Sequence, residues 1–243
     1  LQPRLGYRAA IDPVFLAAAL HSQPGQRVLD LGCGVGTAAL CLLARLPESQ
    51  VTGLELQPDL AALARENAAL NGMGSRFTIL QGDLRDPPAG LEAGGFDHVM
   101  TNPPFVAAGR ARPSPNACKA TANMEGSADL NAWTAFCARM LKPKGRLTLI
   151  HRADRLDALL ACLHGLKLGE VAVFPLWPKA GRAAKRVIVT ARKGVNGPST
   201  LLPGLVLHDE DGRYSEAAEV VLRHGGGLEP MGGLAKSSRP PTL

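Results

Sequence analysis

The chain has 243 residues, enough for one large domain or two small ones, and with 46% hydrophobic residues it has ample material for a core. Its formal net charge of +6 leans towards a polyanionic partner, while five cysteines, an odd number without a CxxC pair, argue against a disulfide framework or a zinc site and for a reducing, cytoplasmic compartment. No apolar run reaches the ~18 residues of a membrane span and no signal peptide is visible, so no membrane partner is expected.

Residues 2–8 form a turn-rich lead-in, and Asp12-Pro13 opens a helix through Leu20, with Asp12 as N-cap and Pro13 at the first helical position. A lead-in ahead of the first strand can lie over the ligand-binding edge of an open α/β sheet, which makes Tyr7 and Arg8 candidates for a ligand-facing role. Residues 27–31 read as the first strand. Gly32-Cys33-Gly34-Val35-Gly36 then turns the chain into a helix that runs to about Leu46, and its glycines allow close approach of a ligand. Residues 51–55 are the second strand, ended by Glu55; Pro58-Asp59 starts a helix over 60–70 that Asn71-Gly72 terminates. Residues 77–81 are the third strand, followed by Gly82-Asp83, and residues 96–101 are the fourth. A helix over 130–141 stops at Lys142-Pro143-Lys144-Gly145, before a fifth strand at 146–150 and a helix at 155–163. Strands at 169–177 and 186–192 are joined only by the basic loop 178–185, so they are expected to pair as an antiparallel hairpin. Residues 205–208, an acidic turn at 209–212 and a short helix over 215–223 complete a single domain of residues 1–227, of which 1–24 are the lead-in turn and helix. Residues 228–243 close the chain as a flexible tail, the stretch from Gly225 on being rich in Gly, Pro and Ser. The alternation of strands and helices predicts an α/β, Rossmann-like fold: a seven-stranded, mostly parallel sheet with a final antiparallel hairpin and helices on both faces.

In open α/β sheets ligands bind at the carboxyl ends of the strands. Four features of this chain fall there: Asp30 with the glycine turn, Glu55, Asp83 and Asn102. The prolines of Asn102-Pro103-Pro104-Phe105 lack backbone N–H groups, so the ladder cannot continue and Asn102 stands where a strand stops and a rigid loop begins. The Asn102 carboxamide has both an acceptor and a donor, Phe105 offers a stacking face, and together they make a clamp for a planar amino group. Glu55 can accept two ribose hydroxyls, as the acid after the second strand does in nucleotide sites. A nicotinamide oxidoreductase is the natural competitor, because counting from Gly34 puts the third position of a GxGxxG/A motif at Ala39. The absence of a Tyr-x-x-x-Lys and the presence of the Asn102 clamp count against it. Between Lys142 and Lys193 twelve Lys and Arg face three acids, a charge asymmetry that is a footprint for a phosphate backbone. Arg182, Lys185 and Arg186 in that stretch, and Arg110, Arg112 and Lys119 after the clamp, are the candidate contacts to such a backbone.

The glycine turn together with Asn102-Pro103-Pro104-Phe105 resembles the class I S-adenosylmethionine-dependent methyltransferases that act on exocyclic amino nitrogens. Over residues 2 to 227 the chain is similar to the tRNA1(Val) adenine-37 N6-methyltransferase family. The matching pieces include Gly6-Tyr7-Arg8 and Asp12, 29–36, 53–58, Asn67, Asn71-Gly72, Gly82-Asp83-Leu84, the clamp, and 204–208. The resemblance implies S-adenosylmethionine as methyl donor, a tRNA partner and no metal. It implies Asp30, Gly32, Cys33, Gly34, Gly36, Glu55, Leu56, Asp83, Leu84 and Asn102 around the cofactor, with Asp30 and the glycine turn at its methionyl end and Asp83 at its adenine. The alternatives are N-methylation of guanine N2 in RNA or of protein glutamine N5, whose enzymes also carry Asn-Pro-Pro-aromatic, and a cofactor-binding RNA-interaction protein without turnover.

Overall fold

Residues 1–4, 10–104 and 130–228 are described in the computed structural model, and over them the apolar patterning is expressed as one twisted sheet with helices on both faces. The described strands are β1 (Arg27–Leu31), β2 (Gln50–Glu55), β3 (Phe77–Gln81), β4 (Phe96–Thr101), β5 (Leu141–Arg152), β6 (Leu168–Trp177), β7 (Arg186–Lys193), and two short ones, β8 (Thr200–Leu201) and β9 (Leu205–Val206). The described helices are α1 (Asp12–Ala19), α2 (Thr37–Arg45), α3 (Pro58–Leu70), α4 (Leu130–Met140), α5 (Leu156–Gly165) and α6 (Glu216–His224). The sheet runs β3-β2-β1-β4-β5-β7-β6-β8, with β9 also on β6. The first five of these are mutually parallel and β7 is antiparallel to both β5 and β6, so the expected hairpin closes the sheet. Seven strands are expected from the sequence; β8 and β9 are additions, two residues each and too short to leave a periodic signal.

The sheet is buried on both faces because its strands alternate between two cores. Val28, Val51, Phe77, Met100 and Ile188 face one core, filled by α1, α2, α3 and α6 through Phe15, Leu16, Leu42, Ala64 and Val221. Leu29, Leu54, Val99, Leu149 and Val189 face the other, filled by α4 and α5 through Phe136, Met140, Leu159 and Leu163. This is the near-continuous apolar strand expected of a covered parallel sheet.

Three local expectations change. Asp12 is not the N-cap of α1: Ile11 holds that position without a side-chain bond, and the Asp12 carboxylate instead accepts from Arg186 Nε at 2.8 Å, joining the first helix to the last core strand. The Lys142-Pro143-Lys144-Gly145 turn does not separate helix from strand. It becomes an irregularity within β5, where the β4–β5 register shifts between Phe96 and His98 and Lys144 takes φ 64°. Leu228, placed by sequence in the tail, is buried and its N–H donates to the Ala18 carbonyl at 2.9 Å.

Register sets which loops share an edge. The carboxyl ends of the parallel strands carry Asp30, Glu55 and Thr101 to one side of the sheet. Arg152 pairs with Arg186, Leu176 with Arg186 and Trp177 with Val206, so the start of β7 and the ends of β6 and β9 emerge on that same side.

Candidate active site

Asp30 is the penultimate residue of β1 and is 2% exposed. Burial pushes its carboxyl up to about 7; the Ala39 backbone N–H opposes the shift and the charge of Glu55 adds to it. Its Oδ2 has no hydrogen-bond partner among the described residues. The turn that follows is tied down by backbone: the N–H groups of Gly32 and Cys33 both donate to the Leu54 carbonyl, at 2.8 and 3.2 Å. Gly36 leaves the turn with φ 86°, and a Cβ there would lie 2.7 Å from the Phe77 ring, so both conformation and space demand glycine. Cys33 is buried with its Sγ against Gly53, and burial raises its thiol well above the ordinary range; it is a packing residue whose backbone alone faces the turn. Asn67 of α3 donates to the Val35 carbonyl at 3.0 Å and holds the far side of the turn.

Glu55 ends β2 at 6% exposure. Its two oxygens accept from the N–H groups of Gly34 (2.8 Å) and Gln57 (2.9 Å), so it braces the glycine turn and the start of α3 at once. Burial raises its pKa, and the backbone donors of Gln57, Gly34 and Leu56 work against that rise. Each oxygen keeps a second acceptor position. Leu56 beside it is exposed, and Leu84 packs half-buried on the neighbouring core. Asp83 stands after β3 as expected, but its carboxylate is occupied: Arg85 donates through its side chain to both oxygens (Nε at 3.1 and 3.0 Å) and through its backbone N–H at 2.9 Å. That pairing holds Asp83 below the usual carboxylate range.

β4 ends at Thr101, and Pro103 and Pro104 then remove the N–H groups that a ladder would need. The Asn102 Oδ1 is buried and, like Asp30 Oδ2, has no hydrogen-bond partner among the described residues. β1 and β4 are neighbours, with Leu31 opposite Thr101, so these two vacant acceptors lie on adjacent strand ends. A buried acceptor without a donor costs about 1–3 kcal/mol, and among such buried atoms of the described residues these two are the ones that stand at the carboxyl ends of β1 and β4.

Trp133 of α4 is the residue that sequence reasoning missed. Its indole N–H donates to Thr101 Oγ1 at 2.8 Å, and Thr101 Oγ1 donates to the Leu31 carbonyl at 2.8 Å. The ring also covers Gly32, where a Cβ would meet it at 3.1 Å. One aromatic side chain therefore fastens both strand ends. Only the spacing of an apolar helix face marked it, and that reads equally as core. Thr101→Val is expected to strand the Trp133 donor and the Leu31 acceptor and to lower stability by about 2 kcal/mol. A lower midpoint in urea unfolding, with unchanged slope, is the readout.

Of the remaining candidates, Tyr7, Arg8, Phe105, Arg110, Arg112 and Lys119 lie outside the described residues. Arg182 and Lys185 are exposed in the β6–β7 loop at the ligand side of the sheet. Arg186 is half-buried and bound to Asp12, which makes it a structural tie.

A parallel sheet with a terminal antiparallel hairpin, a glycine turn after β1, an acid closing β2 and an unpaired carboxamide oxygen after β4 define an S-adenosylmethionine-dependent methyltransferase of the class I fold. The family model for the methyltransferase small domain matches residues 10–121. The tRNA1(Val) (adenine(37)-N6)-methyltransferase of Porphyromonas gingivalis is 32% identical over 222 residues, covering 86% of this chain and 84% of its own. The chain belongs to the tRNA1(Val) (adenine(37)-N6)-methyltransferase family. The relative of the same name from Aeromonas hydrophila subsp. hydrophila is 29% identical over 214 residues, with 88% of this chain and 87% of that protein covered. Among solved structures, a predicted O-methyltransferase, protein Atu636 from Agrobacterium tumefaciens, superimposes with a TM-score of 0.74 at 23% identity, over 89% of this chain and 98% of that one.

Proposed function

We propose that this enzyme transfers the methyl group of S-adenosylmethionine to the exocyclic N6 of an adenine in tRNA, in the cytoplasm. The observation that carries the reading is the buried Asn102 Oδ1 without a donor, one strand away from the equally unpaired Asp30 Oδ2. When bound, the cofactor supplies a methyl group already activated on a sulfonium, so the protein has to place and polarise the nucleophile. The adenine amino group donates its two N–H bonds to the Asn102 carboxamide oxygen and the Pro103 carbonyl. Both contacts favour a pyramidal nitrogen and localise the lone pair that the ring otherwise withdraws. Pro104 keeps the loop rigid, Phe105 stacks on the base, and no strong general base is required.

On this reading Asp30 holds the cofactor's ammonium group, the backbone of the glycine turn meets the methionyl chain, and the free acceptor positions of Glu55 take the ribose hydroxyls. Leu56 and Leu84 flank the adenine. Asp83 reaches the adenine amino group only while it also keeps Arg85. Residues 1–228 act as one catalytic domain, with Tyr7, Arg8, Arg110, Arg112 and Lys119 meeting the RNA.

Asp30 gives this reading a pH signature. Its folded pKa of about 7 lies above the ordinary aspartate value of 3.8, so the native, ligand-free protein binds the proton more tightly than the unfolded chain. Its contribution to stability is therefore lost as pH rises from about 4 through about 7. A cationic ligand selects the ionised form, so cofactor affinity runs the other way and is expected to rise about tenfold between pH 5.5 and 7. Calorimetry across that range should show the rise, and Asp30→Asn should flatten it.

Transfer of tritium from labelled S-adenosylmethionine to bulk tRNA, followed by mass spectrometry of the methylated nucleoside, tests the function. N6-methyladenosine supports it. N2-methylguanosine, label on protein glutamine, or cofactor binding without any transfer replaces it with another reading.

A further inference from the structure

The β6–β7 loop and the segment that follows β9 face one another on the same side of the sheet as Asn102. Between them is a cavity of about 560 Å³ walled by Pro178, Lys179, Arg182, Lys185, His208 and the Gly212 turn. Its charge is one-sided. Three cations line it and no acidic side chain does. The Arg182 guanidinium and Lys185 ammonium form no ion pair among the described residues. Lys179 Nζ donates to the Glu210 carbonyl at 3.1 Å, and the Asp211 carboxylate, held low chiefly by Arg213, also feels its charge, so Arg182 and Lys185 are the two cations without an acidic neighbour among the described ion pairs. The nearby acidic turn is exposed and outside the lining, and its Asp211 carboxylate is engaged by Arg213 at 2.6 Å.

His208 is held in a fixed orientation. Its Nδ1 lies 3.0 Å from the Pro178 carbonyl, which can only accept, so Nδ1 carries the proton and Nε2 is the nitrogen left for another partner. Its ring stacks on Tyr214, centroids 4.7 Å apart and planes 24° from parallel. Gly204 makes this placement possible: at φ 81° the chain passes so close to β6 that a Cβ would fall 2.3 Å from the Pro175 carbonyl oxygen. The cavity lies within the range of about 300–1,000 Å³ of small-ligand sites and is larger than a bare phosphate needs.

We propose that this cavity is a second nucleotide subsite, taking a phosphate with its attached sugar between Arg182, Lys185 and Lys179 and against His208. The proposal rests on the RNA-methyltransferase reading for the identity of the ligand, a nucleotide of the RNA strand away from the target adenine. β6 is three strands from β4, about 14 Å at ~4.8 Å per strand, so a strand crossing this edge of the sheet can occupy both places. Base turning at Asn102 leaves the flanking backbone without support from the pocket itself, and a phosphate anchor at this distance supplies it.

The test compares the unaltered enzyme with Arg182→Ala/Lys185→Ala and with His208→Ala, using a fluorescein-labelled oligoribonucleotide and bulk tRNA. The double variant is expected to raise Kd tenfold or more and to flatten the log–log salt dependence by about one unit. It is also expected to raise KM for tRNA far more than it lowers kcat. His208→Ala is expected to raise Kd severalfold without changing the salt slope. Unchanged S-adenosylmethionine affinity reports that both variants are folded. An identical Kd and salt slope in the double variant overturns the subsite. So does equal binding of adenosine monophosphate and the oligoribonucleotide, which would make the cavity a free-nucleotide site, or displacement of the oligoribonucleotide by inorganic phosphate alone. Pocket-dependent RNA binding without methylated adenine would remove the proposed function and leave the subsite. Methylation with unaltered KM in the double variant would do the reverse.

Discussion

Replacing Asn102 by alanine is expected to lower turnover about 100-fold or more while S-adenosylmethionine affinity stays close to that of the unaltered enzyme, the pattern of a lost contact to the reacting group. The structure supports that separation. The residue before Asn102 is fixed twice, by the Leu31 carbonyl and the Trp133 indole, and the residues after it are prolines. Removing the carboxamide therefore takes away an acceptor without releasing the loop. Oδ1 has no hydrogen-bond partner among the described residues, so its loss breaks no described bond at that atom. Calorimetry for the cofactor beside single-turnover methylation of tRNA decides the matter. A parallel fall in both would show that Asn102 holds the loop and does not act on the amine.

The second large effect is at Glu55. Glu55→Ala is expected to weaken S-adenosylmethionine binding by about 2 kcal/mol or more, because it deletes charge-assisted bonds to two hydroxyls. Here the loss has two sources. The same carboxylate accepts the Gly34 and Gln57 N–H groups, so alanine also leaves the glycine turn and the start of α3 without their acceptor. Stability is expected to fall along with affinity, by about 1–3 kcal/mol. Glu55→Gln separates the two. It keeps the shape and one carbonyl oxygen, and its amide nitrogen then opposes one backbone donor. Affinity that survives Glu55→Ala unchanged would remove the ribose assignment, whatever happens to the unfolding midpoint.

What was legible in the sequence is local physics. Apolar runs bounded by glycine and proline marked β1, β3 and β4 at their observed limits, and two prolines after Asn102 located the end of a strand without any knowledge of its neighbours. Alternation between two cores made both faces of the sheet covered, and a connection too short for a helix made the last pair antiparallel. The positions of Asp30, Glu55, Asp83 and Asn102 at strand ends followed from the same signals.

What each of those side chains touches was decided by the tertiary structure. Asp12 reads as a helix cap because Asp before Pro is a local capping signal, yet Arg186, 174 residues away, claims its carboxylate once β7 lies beside β5. Trp133 reads as core, and its bond to Thr101 exists only because α4 packs across the ends of β1 and β4. The basic loop reads as a stripe of charge, and it becomes the wall of a cavity only where β9, a strand of two residues, brings His208 up beside it. Periodicity records which face of an element is buried. It carries no record of strand order or register, and a shift of one residue in a strand would turn all of that strand's side chains to the opposite face.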